Sequence, residues 1–332
     1  MTVDSETSIE PLRWGILSTA LINEKLLAGA SLTDTADVRA IASRSSDRAD
    51  EFARRWSIPR SYDSYDELLG DDDIEAVYVP LPNALHHPWT MRALHAGKHV
   101  LCEKPYSRYP EHVVEAFELA GARGLVLSEA YMYRYHPQIH RLASLSANGA
   151  IGELRVVNSS FTWPTDAPGD IRLDPELGGG SLLDVGCYCV SAARLLAGEP
   201  SAATADWVIG PTGVEVRLVG SLRFQQDVLL HFDSGFHLPD RSLLEVVGTE
   251  GVIRVQDPWH CAEPGLIITM QGQTPIVETV ARANSYQLEL EEVARSVRGR
   301  PSSVLGRGDA YGQAVALDAL YRAASGGQTI VI

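Results

Sequence analysis

The first part of the chain alternates short apolar runs with segments in which apolar residues recur every three or four positions. The apolar runs predict strands at 13–17, 38–42, 76–79, 100–102 and 125–127. The segments between them predict helices at about 21–30 and 47–56, from 64 to near 70, from Pro88 to near Gly97, and at 110–122. Repeated strand–helix–strand units of this length are typical of a doubly wound parallel sheet, the Rossmann type of α/β domain.

After about residue 130 the pattern changes to successive strand-like runs. Strands are predicted at 154–163, 214–224, 228–232, 243–247 and 252–255, with turns at 233–235 and 248–251. Helices are predicted at 182–196, near 284–297 and near 309–324. Consecutive strands with short turns indicate a large, mostly antiparallel open sheet. We therefore expect a Rossmann domain over residues 1–129 and an α+β domain over residues 130–332.

Composition narrows the class of protein. The 332 residues include 28 basic and 43 acidic side chains, and the net charge of −15 disfavours binding to nucleic acids or to anionic membranes. Residues 1–11 lack the basic and apolar parts of a signal peptide, and no apolar run reaches the ~20 residues that span a bilayer. The cysteines show no complete metal-binding set and suit a reduced compartment, so we expect a cytoplasmic protein with buried thiols at Cys102, Cys187, Cys189 and Cys261.

The turn after the first strand is where a Rossmann domain holds the pyrophosphate of a dinucleotide, at the N-terminus of a helix. The G-x-G-x-x-G/A fingerprint would fall at positions 18, 20 and 23, where this sequence has Ser18, Ala20 and Asn23. The pattern alone is weak, and an ordinary strand-to-helix turn stays open. Small side chains at 18 and 20 still leave room for a phosphate, and Ser18 and Thr19 add hydroxyl donors.

The end of the second strand bears on the choice of dinucleotide. An NAD site usually has Asp or Glu there to hold the ribose 2′-hydroxyl, whereas an NADP site uses Arg for the 2′-phosphate. Here Ser43 and Arg44 follow the strand, Arg48 lies one turn further, and the first carboxylate is Asp47. A lone arginine is often a solvated surface residue, but at this position the pattern favours NADP.

A third group of residues follows the strand at 100–102, in the stretch GKHVLCEKP at 97–105. Other stretches accompany it in a fixed order: RWGILSTA at 13–20, YVPLPNALHHPW at 78–89, EAYMYRYHPQ at 129–138, IGELR at 151–155 and GGGSLLDVGCY at 178–188. In this order and spacing the chain resembles, over nearly its whole length, the glucose–fructose oxidoreductase / inositol dehydrogenase family, called Gfo/Idh/MocA. The GILSTA form is similar to that of its dihydrodiol- and xylose-dehydrogenase-like branch.

The resemblance implies an NADP-dependent oxidoreductase that transfers hydride to or from a sugar, keto-sugar or polyol, without a metal. Lys104 matches the lysine that touches the nicotinamide ribose and the reacting hydroxyl, and Pro105 would follow a cis bond that directs Lys104. The catalytic residues implied are Lys104, Tyr188 and Asp184. The residues implied or predicted to hold the cofactor are Ser18, Thr19, Ala20, Leu21, Ile22, Ser43, Arg44, Arg48, Leu81, Pro82, Asn83, His86, Glu103, Lys104 and Arg172.

Asp184 and Tyr188 are four positions apart on a predicted helix, so both should project from one face. We hypothesise that Tyr188 exchanges a proton with the substrate oxygen, Lys104 polarises that oxygen, and Asp184 hydrogen-bonds a neighbouring hydroxyl. A phenol of pKa ~10 is a poor base, and we expect Lys104 and oxidised nicotinamide to lower that pKa. Each of the three side chains could instead have a purely structural role. Asn23, where the family usually has Ala, puts the packing of helix against phosphate in doubt.

Three alternatives for function and assembly stay open. A reductase of a nucleotide-linked keto-deoxysugar would need a basic or aromatic groove, which the sequence does not reveal, so a free sugar is preferred. A non-catalytic NADP-binding sugar sensor would not need Lys104, Asp184 and Tyr188 together. The open sheet of the second domain has one face without predicted helices, and we expect a homodimer or homotetramer through that face.

Overall fold

A computed structural model describes residues 9–165, 167 and 169–332. Its first part is a six-stranded parallel sheet with β1 Leu12–Leu17, β2 Ala36–Ala42, β3 Arg60–Tyr62, β4 Ala76–Val79, β5 His99–Glu103 and β6 Leu127–Ala130. The helices of this part are α1 Asn23–Ala30, α2 Ser46–Trp56, α3 Tyr65–Leu69, α4 Asn83–His95 and α5 Pro110–Arg123. The strand order is β3-β2-β1-β4-β5-β6, so the order reverses between β1 and β4 and creates a crevice at their carboxyl ends.

The first sheet is covered on both faces, which explains its nearly continuous apolar strands. Val77 and Val79 of β4 face one core, which includes residues of α3, α4 and α5. Ala76 and Tyr78 of the same strand face a second core, which includes Leu26 of α1. All the strand residues 76–79 are fully buried.

The second part is a nine-stranded mixed sheet with helices. Its strands are β7 Leu154–Thr162, β8 Ala202–Ile209, β9 Glu215–Arg223, β10 Leu229–Gly235, β11 Arg241–Gly248, β12 Gly251–Gln256, β13 Gly265–Met270, β14 Ile276–Thr279 and β15 Ile330–Val331. Its helices are α6 Pro137–Ala147, α7 Cys187–Ala197, α8 Ser285–Val297 and α9 Arg307–Gly326. The order is β14-β13-β12-β11-β7-β10-β9-β8-β15, and every adjacent pair is antiparallel except β7 with β10.

One face of the second sheet packs on helices and the other is open. Phe232 of β10 and Leu320 of α9 are fully buried in the same core. On the opposite face of the sheet, Val219, Leu229 and Leu243 are between 38% and 50% exposed. Helix α8 packs on α1 of the first part. There Gly29 of α1 lies so close to the backbone of Gln287 of α8 that a β-carbon at position 29 would not fit.

The predicted fold class is confirmed: a doubly wound parallel sheet precedes a large, mostly antiparallel one. The four cysteines are free and buried, as expected. In the described part of the chain no helix is long and apolar enough to cross a membrane. The boundary at residues 129 and 130 stays a prediction, and most of the predicted N-terminal segment 1–11 lies outside the described residues.

Two local predictions are wrong for tertiary reasons. Helix α4 starts at Asn83, not at Pro88, because Asn83 Nδ2 donates to Gly178 O at 2.8 Å and the Ala84 N–H donates to Leu177 O at 3.1 Å. The predicted turn at 233–235 is the end of β10, because β7 and β9 pair with these residues on both sides. The strand predicted at 125–127 lies at 127–130, and β3, β8, β13, β14 and β15 were not predicted.

Burial also fixes the protonation of an acid at the end of β6. Glu129 is 2% exposed, and its Oε1 accepts the Tyr106 N–H at 2.6 Å. Its Oε2 has no hydrogen-bond partner within the described residues. Burial raises the pKa of Glu129 to about 8, and the nearby Asp309 carboxylate raises it further, whereas the Tyr106 N–H, Arg194 and Arg134 lower it.

This acid should make stability depend on pH. The folded protein holds a proton that the unfolded chain, with a glutamate pKa of ~4.3, releases. The contribution of Glu129 to the free energy of unfolding should therefore be fully present below pH ~4.3. It should decline as the pH rises toward 8, by up to ~1.4 kcal/mol per pH unit. Glu129→Gln keeps an acceptor for Tyr106 and removes the proton. We expect the melting temperature of the wild type to fall more between pH 6 and pH 8 than that of Glu129→Gln; equal falls would contradict the assignment.

Candidate active site

A cavity of about 360 Å³ lies at the carboxyl ends of β1, β4 and β5, where the two sheets' connecting segments meet. Both parts of the chain contribute to its lining. The predicted site residues that line it are Ala20, Leu21, Ile22, Leu81, Pro82, Asn83, His86, Glu103, Lys104, Arg172, Asp184 and Tyr188. Five predicted residues do not line this cavity: Ser18 and Thr19 lie in the turn after β1, Ser43 and Arg44 in the turn after β2, and Arg48 in the first turn of α2.

The turn after β1 has a backbone shape that usually requires glycine. Ser18 has φ of 122°, a region that residues with a side chain rarely adopt. Its Oγ donates to Pro80 O at 3.2 Å and accepts the Ala20 N–H at 3.3 Å. Asn23 Nδ2 donates to Ser18 O at 2.7 Å, so the asparagine that departs from the family pattern braces the serine that also departs from it.

This turn can hold a pyrophosphate. The backbone N–H groups of Thr19, Leu21 and Ile22 have no acceptor within the described residues, and they lie just before α1. Such free donors at a helix N-terminus are the usual partners of phosphate. The donor set therefore fits the dinucleotide that the sequence predicts.

The adenosine end of the predicted site carries two guanidinium groups. Arg48 reaches across from α2 and donates to Thr19 Oγ1 at 3.0 Å. Arg44 and Arg48 both lie close to the hydroxyl of Tyr65, where their charges oppose the rise in its pKa that burial causes. Ser43 is buried at the end of β2, and its Oγ accepts the Ser45 N–H at 3.3 Å. Two cations and a hydroxyl at this edge suit a 2′-phosphate.

Two adjacent histidines of α4 hold the segment that follows Lys104. The buried ring of His86 lies between Pro105 O, 2.8 Å from Nδ1, and Leu81 O, 2.7 Å from Nε2. Burial lowers the pKa of His86 to about 4, although both carbonyl contacts favour the protonated ring. The next residue, His87, lies 2.9 Å from the hydroxyl of Tyr106. The Lys104–Pro105 bond is cis, as the resemblance implied.

Asp184 is the centre of the polar contacts in the cavity. Lys104 Nζ donates to its backbone oxygen at 2.7 Å and lies 4.0 Å from its Oδ1. Its Oδ2 accepts from Arg172 Nε at 3.1 Å and from Trp163 Nε1 at 3.2 Å. Asp184 lies on one turn of π-helix, Leu182–Gly186, which we call the Asp184 turn. The carboxylate is thus held by two cations and an indole before any substrate binds.

Tyr188 is a buried aromatic residue that also borders the cavity. Lys104 Nζ lies 4.9 Å from the centre of its ring, and its hydroxyl donates only to the weak acceptor Met132 Sδ, at 3.7 Å. Four rings lie with centres between 5.5 and 5.9 Å from the Tyr188 ring: Tyr131, Tyr133, Phe161 and Trp259.

The expected lowering of the Tyr188 pKa is wrong for the protein on its own. Burial raises this pKa well above its ordinary value, and the nearby Tyr286, Glu103, Cys187 and Asp184 raise it further. The reason is that the lysine faces the ring of Tyr188, while the enclosing aromatic residues keep water away from the phenol.

Several residues in or beside the cavity were not predicted from the sequence. Trp163, just after β7, could not be linked to Asp184, because the contact joins segments 21 positions apart. Lys25 and His260 come from different parts of the chain yet border one cavity, and the Lys25 charge adds to the burial that lowers the pKa of His260. Met132 lies within the quoted stretch EAYMYRYHPQ at 129–138, so the sequence did contain that signal.

Comparison with known proteins identifies the family. The family model described as "Oxidoreductase family, NAD-binding Rossmann fold" matches residues 12–131, and that of the "GFO/IDH/MocA C-terminal domain" matches residues 139–254. The chain belongs to the Gfo/Idh/MocA family of oxidoreductases.

Relatives and solved structures agree with this assignment. D-xylose 1-dehydrogenase (NADP(+)) 2 from Haloferax volcanii is 37% identical, covering 96% of this chain and 99% of that protein. Trans-1,2-dihydrobenzene-1,2-diol dehydrogenase from Sus scrofa is 34% identical over 75% of this chain and 76% of its own. A 3-ketoreductase from Actinomadura kijaniata, solved with NADP and TDP-benzene, has a TM-score of 0.88 and 32% identity, covering 94% of this chain and 98% of its own. The predictions of the family, of an oxidoreductase and of NADP as cofactor are confirmed.

The histidine contacts give a testable prediction. His86→Ala should leave the oxygens of Leu81 and Pro105 without their buried partner and loosen the segment that carries Lys104. A lost buried hydrogen bond costs ~1–3 kcal/mol, so if this cost falls on the transition state we expect kcat to fall by about fivefold or more. His87→Ala is the matched control, since its contact is with the Tyr106 side chain one position further, and should have the smaller effect. Steady-state kinetics of the two variants provides the measurement; equal effects would contradict a specific role for His86.

Proposed function

We propose that the protein is an NADP-dependent dehydrogenase or reductase of a free aldose, a keto-sugar or a related diol. The observation that carries this proposal is the meeting of Lys104, Asp184 and Tyr188 in one cavity beside the dinucleotide turn. The H. volcanii relative named as a D-xylose dehydrogenase matches nearly the full length of both chains, which supports a free sugar.

Binding of the cofactor is assigned to two groups of residues. The free N–H groups of the turn after β1 hold the pyrophosphate, and Ser43, Arg44 and Arg48 hold the 2′-phosphate. Leu81, Pro82, Asn83, His86, Glu103 and Arg172 border the reaction end of the cavity. Bound NADP supplies or accepts the hydride.

Lys104 polarises the oxygen at the reacting carbon. One of its three N–H groups is engaged by Asp184 O, which fixes the direction of the side chain and leaves two donors for the substrate. Oδ1 of the Asp184 carboxylate lies 4.0 Å from this ammonium group and pairs with it, in a cavity where the lysine side chain is only 13% exposed. Arg172 shares the same carboxylate and prevents Asp184 from turning away.

Tyr188 moves the proton. A phenol whose pKa burial has raised stays protonated at neutral pH, so it donates its proton to the carbonyl oxygen when a ketone or aldehyde is reduced. Its present contact with a thioether is weak and is readily exchanged for an oxygen acceptor. Asp184 orients Lys104. Its Oδ1 can accept a hydrogen bond from a neighbouring hydroxyl of the substrate.

A nucleotide-linked keto-sugar is the second candidate substrate, for one specific reason. Lys25 and Arg172 both border the cavity and provide two cations of the kind that a diphosphate needs. The ketoreductase from A. kijaniata, similar over nearly its full length, was solved with TDP-benzene. A non-catalytic sugar sensor is disfavoured, since it has no use for the combined set Lys104, Asp184 and Tyr188.

The assembly and location are proposed on separate grounds. The open face of the second sheet exposes Val219, Leu229 and Leu243, which supports a homodimer or homotetramer through that face. The free, buried state of the four cysteines supports a cytoplasmic location.

Replacement of the phenol tests the catalytic assignment. Tyr188→Phe removes only the hydroxyl, so the aromatic packing stays, and we expect turnover to fall by about 10²-fold or more. The affinity for NADPH, measured by fluorescence titration, should not change. Undiminished turnover would contradict the role of Tyr188. Because the phenol of the wild type stays protonated, its ionisation should not lower the kcat for reduction between pH 6 and pH 9.

Cofactor preference tests the 2′-phosphate site. The double variant Arg44→Ala/Arg48→Ala should bind NADPH at least tenfold more weakly, because two charge-assisted contacts are lost. NADH lacks the phosphate and should bind both proteins alike. Assays of the wild type with NADP⁺ and a panel of aldoses and polyols, carried out after these titrations, identify the substrate. A wild-type preference for NADH would overturn the assignment of Ser43 and Arg44.

A further inference from the structure

A second cavity, of about 560 Å³, lies beyond the contact between Asn83 and Gly178 that borders the reaction cavity. Its volume is within the range of small-molecule sites. The segment after Lys104–Pro105, the loop at 175–179, the connection between β8 and β9, and α9 form its walls. The residues that matter to its chemistry are Ser107, Arg108, Tyr109, Trp207, Glu215 and Tyr321.

Arg108 is a fixed cation in this cavity. The central carbon of its guanidinium lies 4.5 Å from the ring centre of Tyr321 and 4.8 Å from that of Tyr109. One of its N–H groups donates to the Tyr109 hydroxyl at 2.8 Å. In the described part of the chain no carboxylate lies within 4.0 Å of it. A stacked guanidinium with unused donors is well suited to bind a carboxylate.

The rest of the lining favours a single negative charge and several hydroxyls on the ligand. Glu215, 3% exposed, borders the cavity, as does Glu176, so one cation faces two acids. Arg108 is the one cation among the described residues of this lining, so it can pair with a single carboxylate, and hydroxyl groups can donate to the oxygens of Glu176 and Glu215. Trp207 and Tyr109 supply aromatic surface of the kind against which the apolar face of a sugar packs.

The cavity is connected to the reaction centre by direct contacts. The Tyr321 hydroxyl donates to Glu215 Oε1 at 3.0 Å, and the same oxygen accepts the Leu182 N–H at 2.9 Å. Leu182 begins the Asp184 turn. A β-carbon on Gly180 would lie 2.1 Å from Glu215 Oε2, so the carboxyl group packs directly against the backbone of this loop. Arg108 is therefore linked to the turn that holds Lys104 by three successive contacts, through Tyr321 and Glu215 to Leu182.

We propose that this cavity is a second binding site, for a polyhydroxylated monocarboxylate of the sugar-acid class, and that its occupation is coupled to the Asp184 turn. The carboxylate pairs with Arg108, and the hydroxyls face Glu215 and Ser107. A ligand there displaces Tyr321 or Glu215 and so changes the orientation of Lys104 by way of Leu182. The site lies outside the reaction cavity and does not depend on which sugar reacts.

The test is calorimetric titration of D-gluconate into the wild-type protein saturated with NADPH. We expect one site per chain, and we expect the doubly charged glucose 6-phosphate and neutral glucose to compete poorly for it. Arg108→Met keeps the side-chain stem and removes the charge, and should weaken gluconate binding by about tenfold or more. Arg108→Lys should bind with intermediate affinity. Arg92→Met is the matched control, since Arg92 also stacks on an aromatic ring, Trp89, but lies outside this cavity.

Coupling is measured through the effect of gluconate on sugar turnover. In the wild type and in Arg92→Met it should change the KM or kcat for the sugar by at least twofold, and in Arg108→Met it should not. Absence of gluconate binding to the wild type would overturn the proposal, and so would binding that Arg108→Met retains, since the ligand would then lie elsewhere. Binding without any change in kinetics would overturn the coupling. Failure of the wild type to bind NADPH or turn over any sugar would contradict the proposed function and not this site.

Discussion

The hydrogen bond from Lys104 to the backbone oxygen of Asp184 joins the two parts of the molecule at the point where chemistry takes place. Lys104 follows β5 of the parallel sheet, whereas Asp184 lies on a turn beneath the second sheet. Neither residue is positioned by its own domain alone. His86 fixes Lys104 from one side through Pro105 O, and Trp163 and Arg172 fix Asp184 from the other. The two parts meet at this cavity through the contact of Lys104 with Asp184 and the contacts of Asn83 and Ala84 with residues 177 and 178.

Burial decides the protonation states around this contact. The rise in the Tyr188 pKa keeps a proton on the phenol, and this makes the residue an acid in the direction of reduction. The same effect keeps Glu129 protonated up to a pKa of about 8 and raises the pKa of Glu215 to about 7. The carboxylate and the backbone carbonyl oxygen of Asp184 both face the Lys104 ammonium group. The cavity thus combines one polarising cation with one retained proton.

The strained turn after β1 shows how two departures from a family pattern can depend on each other. Ser18 adopts a backbone conformation that suits glycine, and Asn23 holds its carbonyl oxygen in place. The sequence showed both departures but not their connection, because the contact depends on how α1 sits on the end of β1. Likewise, Pro88 resembles a helix start in isolation. The true start of α4 is set five residues earlier by contacts with residues 177 and 178.

The sequence by itself determined the order of strands and helices, since apolar periodicity reflects burial on one face or both. It also determined the residue types at the carboxyl edge of the first sheet, including Lys104 and the pair Ser43 and Arg44. Only the tertiary structure decided that Lys104 faces the ring of Tyr188 and not its hydroxyl, that Trp163 binds Asp184, and that Arg108 stacks between two tyrosines in a second cavity. The physical reason is that pKa values, ion pairs and cavities arise from groups distant in sequence, whose distances no local pattern records.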